Sequence, residues 1–139
     1  MQPQPPTQQV RPVDVGTGFG LWLTALPVLV IGQAADAALA PDRPRGVEVY
    51  AAAAVFLFVV VSVVLTFLVL MWLRYRWART LLTGGGVVTI IFVASGLFNG
   101  ERSTAGALVY AVTSIVGSVL IAGGIFLLHR EDAHAYFTR

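Results

Sequence analysis

From Val49 to Leu73 the chain runs for about 25 residues without a charge, where a membrane crossing needs about 20. The stretch passes through Ala51 to Ala54 into a block of Val, Leu and Phe broken only by Ser62 and Thr66, and it is apolar around its whole circumference. A surface helix of a soluble fold shows one apolar stripe and one polar face, so this segment is neither that nor an interfacial helix. A 139-residue chain is too short to bury so much apolar surface in a core of its own, because 57% of it is hydrophobic and only 12% is charged. Lipid is the solvent these residues fit.

Three further runs have similar character. The first, about 18–38, is interrupted by Pro27, where a kink is expected, and carries Gln33 and Asp36 at its far end. The third, about 80–98, holds Gly84, Gly85 and Gly86 and is the poorest helix former. In lipid every backbone amide must be satisfied internally, so the medium overrides that propensity. The fourth, about 105–128, ends at His129-Arg130-Glu131-Asp132. Residues 1–15, rich in Gln and Pro, read as a disordered cytoplasmic tail, and 133–139 as a second short tail. The expected fold is all-α: a four-transmembrane-helix bundle over 16–132 with a disordered N-terminal tail. Cleavage of the first run as a signal peptide is not expected, since Pro41 would follow the cut after Ala38-Leu39-Ala40 and Asp36 precedes it.

Four spans place Arg11, Arg74, Arg76, Arg79, Arg130 and Arg139 on one side and Arg43, Arg45 and Arg102 on the other. The positive-inside rule then puts both termini in the cytoplasm. All nine basic residues are arginine, and they lie between apolar runs rather than along one face, so nucleic-acid binding is not implied. Abundant Ala, Val, Gly and Arg without Lys suggest a high-GC bacterial genome, hence a plasma-membrane location. Trp72, Arg74, Tyr75, Arg76, Trp77 and Arg79 surround the second cytoplasmic turn and are expected to anchor it in the headgroup layer, with Tyr136 and Phe137 on the same surface.

Candidate chemistry is sparse. Asp36 is the one ionisable group inside a run, and its place at the outer end allows water or an arginine such as Arg43 to reach it. Together with Gln33 it is the candidate for a polar pathway. Glu48 suits the start of the second helix. His129 and His134, five positions apart beside Glu131 and Asp132, lack the spacing of two metal ligands on one helical turn. The glycine run lacks the pattern of a phosphate loop. No Cys is present, so thiolate chemistry is excluded. No cofactor is expected, and general acid-base catalysis lacks positioned groups. Small residues instead suggest close helix packing through Gly96, Gly100, Ser114, Gly117, Ser118 and Ala122, within the bundle or against a second copy or another membrane protein.

Arg76-Trp77-Ala78-Arg79-Thr80-Leu81-Leu82 and the closing Ala133-His134-Ala135-Tyr136-Phe137 resemble small four-span integral membrane proteins of actinobacteria, which carry a W-A-R-x-x-L segment after the second span and an aromatic-ended tail. The resemblance implies a four-helix fold in the plasma membrane and transfers no catalytic residue. The expected function is that of a non-enzymatic accessory or scaffold subunit of an envelope complex, the alternative being a small oligomeric transporter or channel.

Overall fold

The computed structural model describes residues 11–40, 46–134, 136 and 137. It is all-helical, with no strand among the described residues: α1 (Val13–Ala38), α2 (Val47–Trp72), α3 (Arg76–Phe98), α4 (Thr104–Leu128) and a single turn, α5 (Glu131–His134). The first four are each long and apolar enough to cross a bilayer. At 1.5 Å per residue the 25 residues of α4 span about 37 Å, more than the roughly 30 Å hydrocarbon core.

Two boundaries differ from the sequence reading. α1 begins at Val13, inside the segment 1–15 expected to be disordered, with Pro12 as its N-cap and Asp14 in the first turn. The remainder of that expected tail, residues 1–10, lies outside the described residues, as do residues 41–45 with Arg43 and Arg45. At the other end, residues 131–134 form a helical turn, and Tyr136 and Phe137 are buried in the protein rather than lying on its surface.

Hydroxyls within the spans are satisfied by the carbonyl one turn back. Thr24 donates to Gly20, Ser62 to Phe58, Thr66 to Ser62, Thr89 to Gly85 and Thr113 to Val109, each at 2.8 Å. That removes the cost of a bare hydroxyl in hydrocarbon without a second helix. α3 runs unbroken through its three glycines. Gly84 and Gly85 face open space, whereas a Cβ on Gly86 would lie 2.8 Å from both Ile121 and Trp22.

The centre of the bundle is the antiparallel pair α1 and α4. Buried positions on α1 are Val15, Gly18, Trp22, Ala25 and Gly32, with the partly buried Leu29 packed against the core. On α4 they are Gly106, Tyr110, Ser114, Gly117, Ile121, Gly124 and Leu128. The α1 row, and the α4 row from Tyr110 onward, step by alternating threes and fours, the repeat that keeps one seam facing a partner along a supercoiled pair. Large residues meet small ones along it. A Cβ on Gly124 would fall 2.6 Å from Trp22 and one on Gly117 would fall 2.7 Å from the Leu29 Cγ, while Gly32 abuts Thr113 and Gly18 faces Leu128. α3 packs on α4 through Gly86, Val93 and Gly96.

α2 behaves differently. Leu68 and Met71, both in its last two turns, are its buried residues. From Val47 to Val60 every residue except Leu57 is exposed, on all sides of the helix. α2 is therefore attached to the bundle at one end only.

Candidate functional site

Polar side chains gather at the two ends of the bundle. At the end where α1 finishes and α4 begins, Arg102 in the α3–α4 loop reaches Asp36 with Nε to Oδ1 at 2.5 Å and Nη2 to Oδ2 at 3.2 Å. Its Nη1 donates to the Gly96 carbonyl at 2.6 Å, and its guanidinium lies 4.0 Å over the Tyr110 ring. Tyr110 in turn donates to the Val93 carbonyl. A single cation thus ties α1, α3 and α4 together. The hydrogen bond that Arg102 donates to Asp36 raises the guanidinium pKa above the ordinary arginine range, against the smaller, opposing effect of burial. Among the described residues, the arginine that reaches Asp36 is Arg102, whereas the sequence reading offered Arg43. Gln33 is half-buried and makes no hydrogen bond among the described residues. The two candidate pathway residues therefore sit beside a closed ion pair and a seam filled by Thr113 and Gly32.

Gly96 and Gly100 do not form one packing face. Gly96 is pressed against Tyr110, but α3 ends at Phe98, and Gly100 occupies the following loop at φ 155°, beside Arg102. Of the α4 residues expected on the packing face, Ser114 and Gly117 are buried, Ser118 is half-buried and Ala122 is exposed. A four-residue step drifts off the seam, which instead continues through Ile121 and Gly124.

At the opposite end the chain closes α2 with a Schellman turn. The Tyr75 N–H donates to Leu70 and the Arg74 N–H to Met71, placing Arg74 in the left-handed region at φ 74°. Glycine is the usual occupant there, so an arginine costs about 1 kcal/mol of strain. Its side chain explains the choice: Arg74 Nε donates to the Tyr136 carbonyl at 3.0 Å, and the guanidinium lies 4.6 Å over the Tyr136 ring. The Tyr136 hydroxyl donates to the Trp72 carbonyl and accepts from Arg11 Nε, both at 3.1 Å. Arg11 also lies 3.4 Å over Trp72, which meets Phe19 of α1 ring to ring. One tyrosine thereby joins the start of α1, the end of α2 and the turn into α3.

Arg79, expected among the headgroup anchors, is instead buried. Its Nη1 donates to the Leu128 carbonyl at 3.2 Å and approaches His134 Nδ1 at 3.4 Å, its guanidinium lies 4.9 Å over Phe137, and its Nε has no hydrogen-bond partner among the described residues. The turn is shorter than expected, so Arg76 already opens α3 and Arg79 points back under the end of α4. Arg76 and Trp77 are exposed; Trp72, Arg74 and Tyr75 are half-buried. Arg130 pairs with Asp14 at 3.3 Å, closing α4 against the first turn of α1.

Sequence reasoning missed the roles of Arg102, Tyr110, Arg11 and Asp14. Each joins segments far apart in the chain, and no local pattern marks such a pair. No group of three or more His, Asp or Glu side chains is placed to hold a metal among the described residues. No protein-family model matches the chain, and neither curated proteins nor solved structures gave a match. Four membrane-spanning helices characterise the chain as an integral membrane protein of multi-pass type.

Proposed function

We propose that the chain is a non-enzymatic accessory or scaffold subunit of a bacterial plasma-membrane complex, with both termini cytoplasmic, and that α2 is the helix it offers to a partner. The observation that carries this reading is the exposure of α2 from Val47 to Val60 at every residue but Leu57, in a chain where Gly18, Gly32, Gly86, Gly96, Gly117 and Gly124 of the other spans are each packed against a side chain of another span. Helix association in lipid is driven by packing rather than by apolarity, so a span left without an internal packing partner is available to an external one. The resemblance to small actinobacterial four-span proteins agrees with the plasma-membrane location. The transporter alternative gains no support from Gln33 and Asp36, because Asp36 is held by Arg102.

The chain contains no Cys, so single cysteines can be introduced without background. A bismaleimide applied to native membranes should convert Phe56→Cys or Val60→Cys on α2 into one discrete adduct of fixed mass, while Val88→Cys on the exposed face of α3 should yield none. Val60→Trp on the Phe56→Cys background should abolish the adduct. Equal adduct formation from α2 and α3, or none from either, would refute the assignment of α2.

A further inference from the structure

Where α4 leaves the span, Phe126, His129, Arg130 and Glu131 line a cleft of about 470 Å³. α4 is longer than the hydrocarbon core is thick, so its last turn and the residues after it sit at headgroup depth. Phe126, about one turn back into the span from Arg130, is 68% exposed. Three polar groups stand beyond it in sequence order, and each has a distinct unused capacity.

Arg130 spends Nη1 on Asp14, yet half of its side chain remains exposed, leaving guanidinium N–H groups for a phosphate oxygen. Glu131 is exposed and makes no ion pair or hydrogen bond among the described residues. His129 Nδ1 lies 2.9 Å from the Ile125 carbonyl, an acceptor, so Nδ1 carries the hydrogen and the neutral ring presents Nε2 as a further acceptor. The cleft therefore offers donors on one side and two acceptors beside them. Arg130 and Glu131 give the cleft lining one charge of each sign, which does not match a purely anionic ligand.

We propose that this cleft seats the headgroup of a zwitterionic phospholipid bearing a primary ammonium, of the phosphatidylethanolamine class. Arg130 takes the phosphodiester, Glu131 and His129 Nε2 accept N–H bonds from the ammonium, and Phe126 packs on the glycerol end of the acyl chains. A choline headgroup has no N–H to give, and a glycerol headgroup has no cation for Glu131. Selectivity between lipids follows from the acceptors rather than from the phosphate.

Native mass spectrometry of the full chain in detergent, with equimolar dioleoyl phosphatidylethanolamine, phosphatidylcholine and phosphatidylglycerol, tests the assignment. Retention of the ethanolamine lipid should exceed that of the other two by roughly tenfold, the worth of one charge-assisted hydrogen bond at a partly exposed site. Glu131→Gln should reduce that ratio to about twofold, and Arg130→Gln should lower retention of all three lipids. Glu131 is exposed, so the Glu131→Gln variant should melt with wild type. Arg130→Gln also breaks the Asp14 pair, and its lipid loss is read against Asp14→Asn, which breaks that pair and keeps the guanidinium. Equal retention of the three lipids, a preference for phosphatidylglycerol, or a preference unmoved by Glu131→Gln would overturn the proposal. Displacement of the lipid by soluble glycerophosphoethanolamine would also overturn it, by assigning the cleft to a free phosphodiester.

Discussion

The α1–α4 pair and α2 are all apolar enough to cross a bilayer, yet they pack in opposite ways. α2 is the most apolar of the four spans and the least buried, whereas α1 and α4 are less apolar and most buried. The difference lies in where small residues fall. α4 carries Gly106, Ser114, Gly117 and Gly124 on a single seam, and its glycines leave room for Leu39, which follows α1, and for Leu29 and Trp22 of α1. α2 has its alanines, Ala51 to Ala54, in one unbroken run, which spreads them around the helix and gives no seam. Hydropathy selects the helices that enter the membrane, and the spacing of small residues selects which of them hold one another.

The largest effect is expected where a glycine of the seam is filled. Gly117→Leu and Gly124→Leu should each destabilise the bundle by about 3 kcal/mol or more, because Leu29 and Trp22 occupy the space a side chain would need. Ala54→Leu on α2 should change stability by no more than about 0.5 kcal/mol. Reversible unfolding in mixed micelles, followed by near-ultraviolet circular dichroism, measures both. Similar costs for the two helices would abolish the contrast.

Next in size is the ion pair between Arg102 and Asp36. Arg102→Ala removes the partner of Asp36, the donor to Gly96 and the cation over Tyr110, and should cost about 2 kcal/mol after allowance for partial exposure of both groups. Asp36→Asn should cost about half as much, since the amide still accepts a hydrogen bond from Arg102. The same unfolding assay ranks the two. A rank in which Asp36→Asn exceeds Arg102→Ala would move the centre of this cluster from the arginine to the carboxylate.

The cluster at the other end attaches α2, so disturbing it should loosen α2 more than the seam. Tyr136→Phe removes one donor and one acceptor and should cost about 1 kcal/mol, with increased proteolysis near Leu73 to Tyr75 as the readout. Arg74→Gly relieves the left-handed backbone but loses the hold on Tyr136, so the two effects should nearly cancel in stability while the proteolysis still increases. The smallest change is expected for Ser62→Ala and Thr66→Ala. Both hydroxyls bond to their own helix, so each should shift stability by less than about 0.5 kcal/mol.

The sequence revealed the spans because charge-free length is a direct statement about solvent. It revealed packing less well. Ser114, Ser118 and Ala122, all expected on the packing face, fall four residues apart, but helices that wrap around each other keep a 3.5-residue repeat, and Ala122 falls outside it. Gly96 and Gly100 have glycine spacing suited to a helix face, yet the Asn99-Gly100 pair is a turn signal that ends the helix between them. The start of α1 was marked locally by Pro12 and Asp14, which suit a helix N-terminus, although the surrounding Gln and Pro masked them. The burial of Arg79 and the pairing of Asp36 with Arg102 had no local signal. Both depend on residues 49 or more positions away.

The contrast between α2 and the α1–α4 seam is tested most directly by nitroxide labels placed singly at 53 to 60 on α2 and at 114 to 121 on α4, with one chain per lipid nanodisc. Collision with dissolved oxygen should be uniformly high along α2 and should oscillate with the helical period along α4. An oscillation of the same depth on α2 would contradict the account, because it would mean that α2 lies along the bundle like the others.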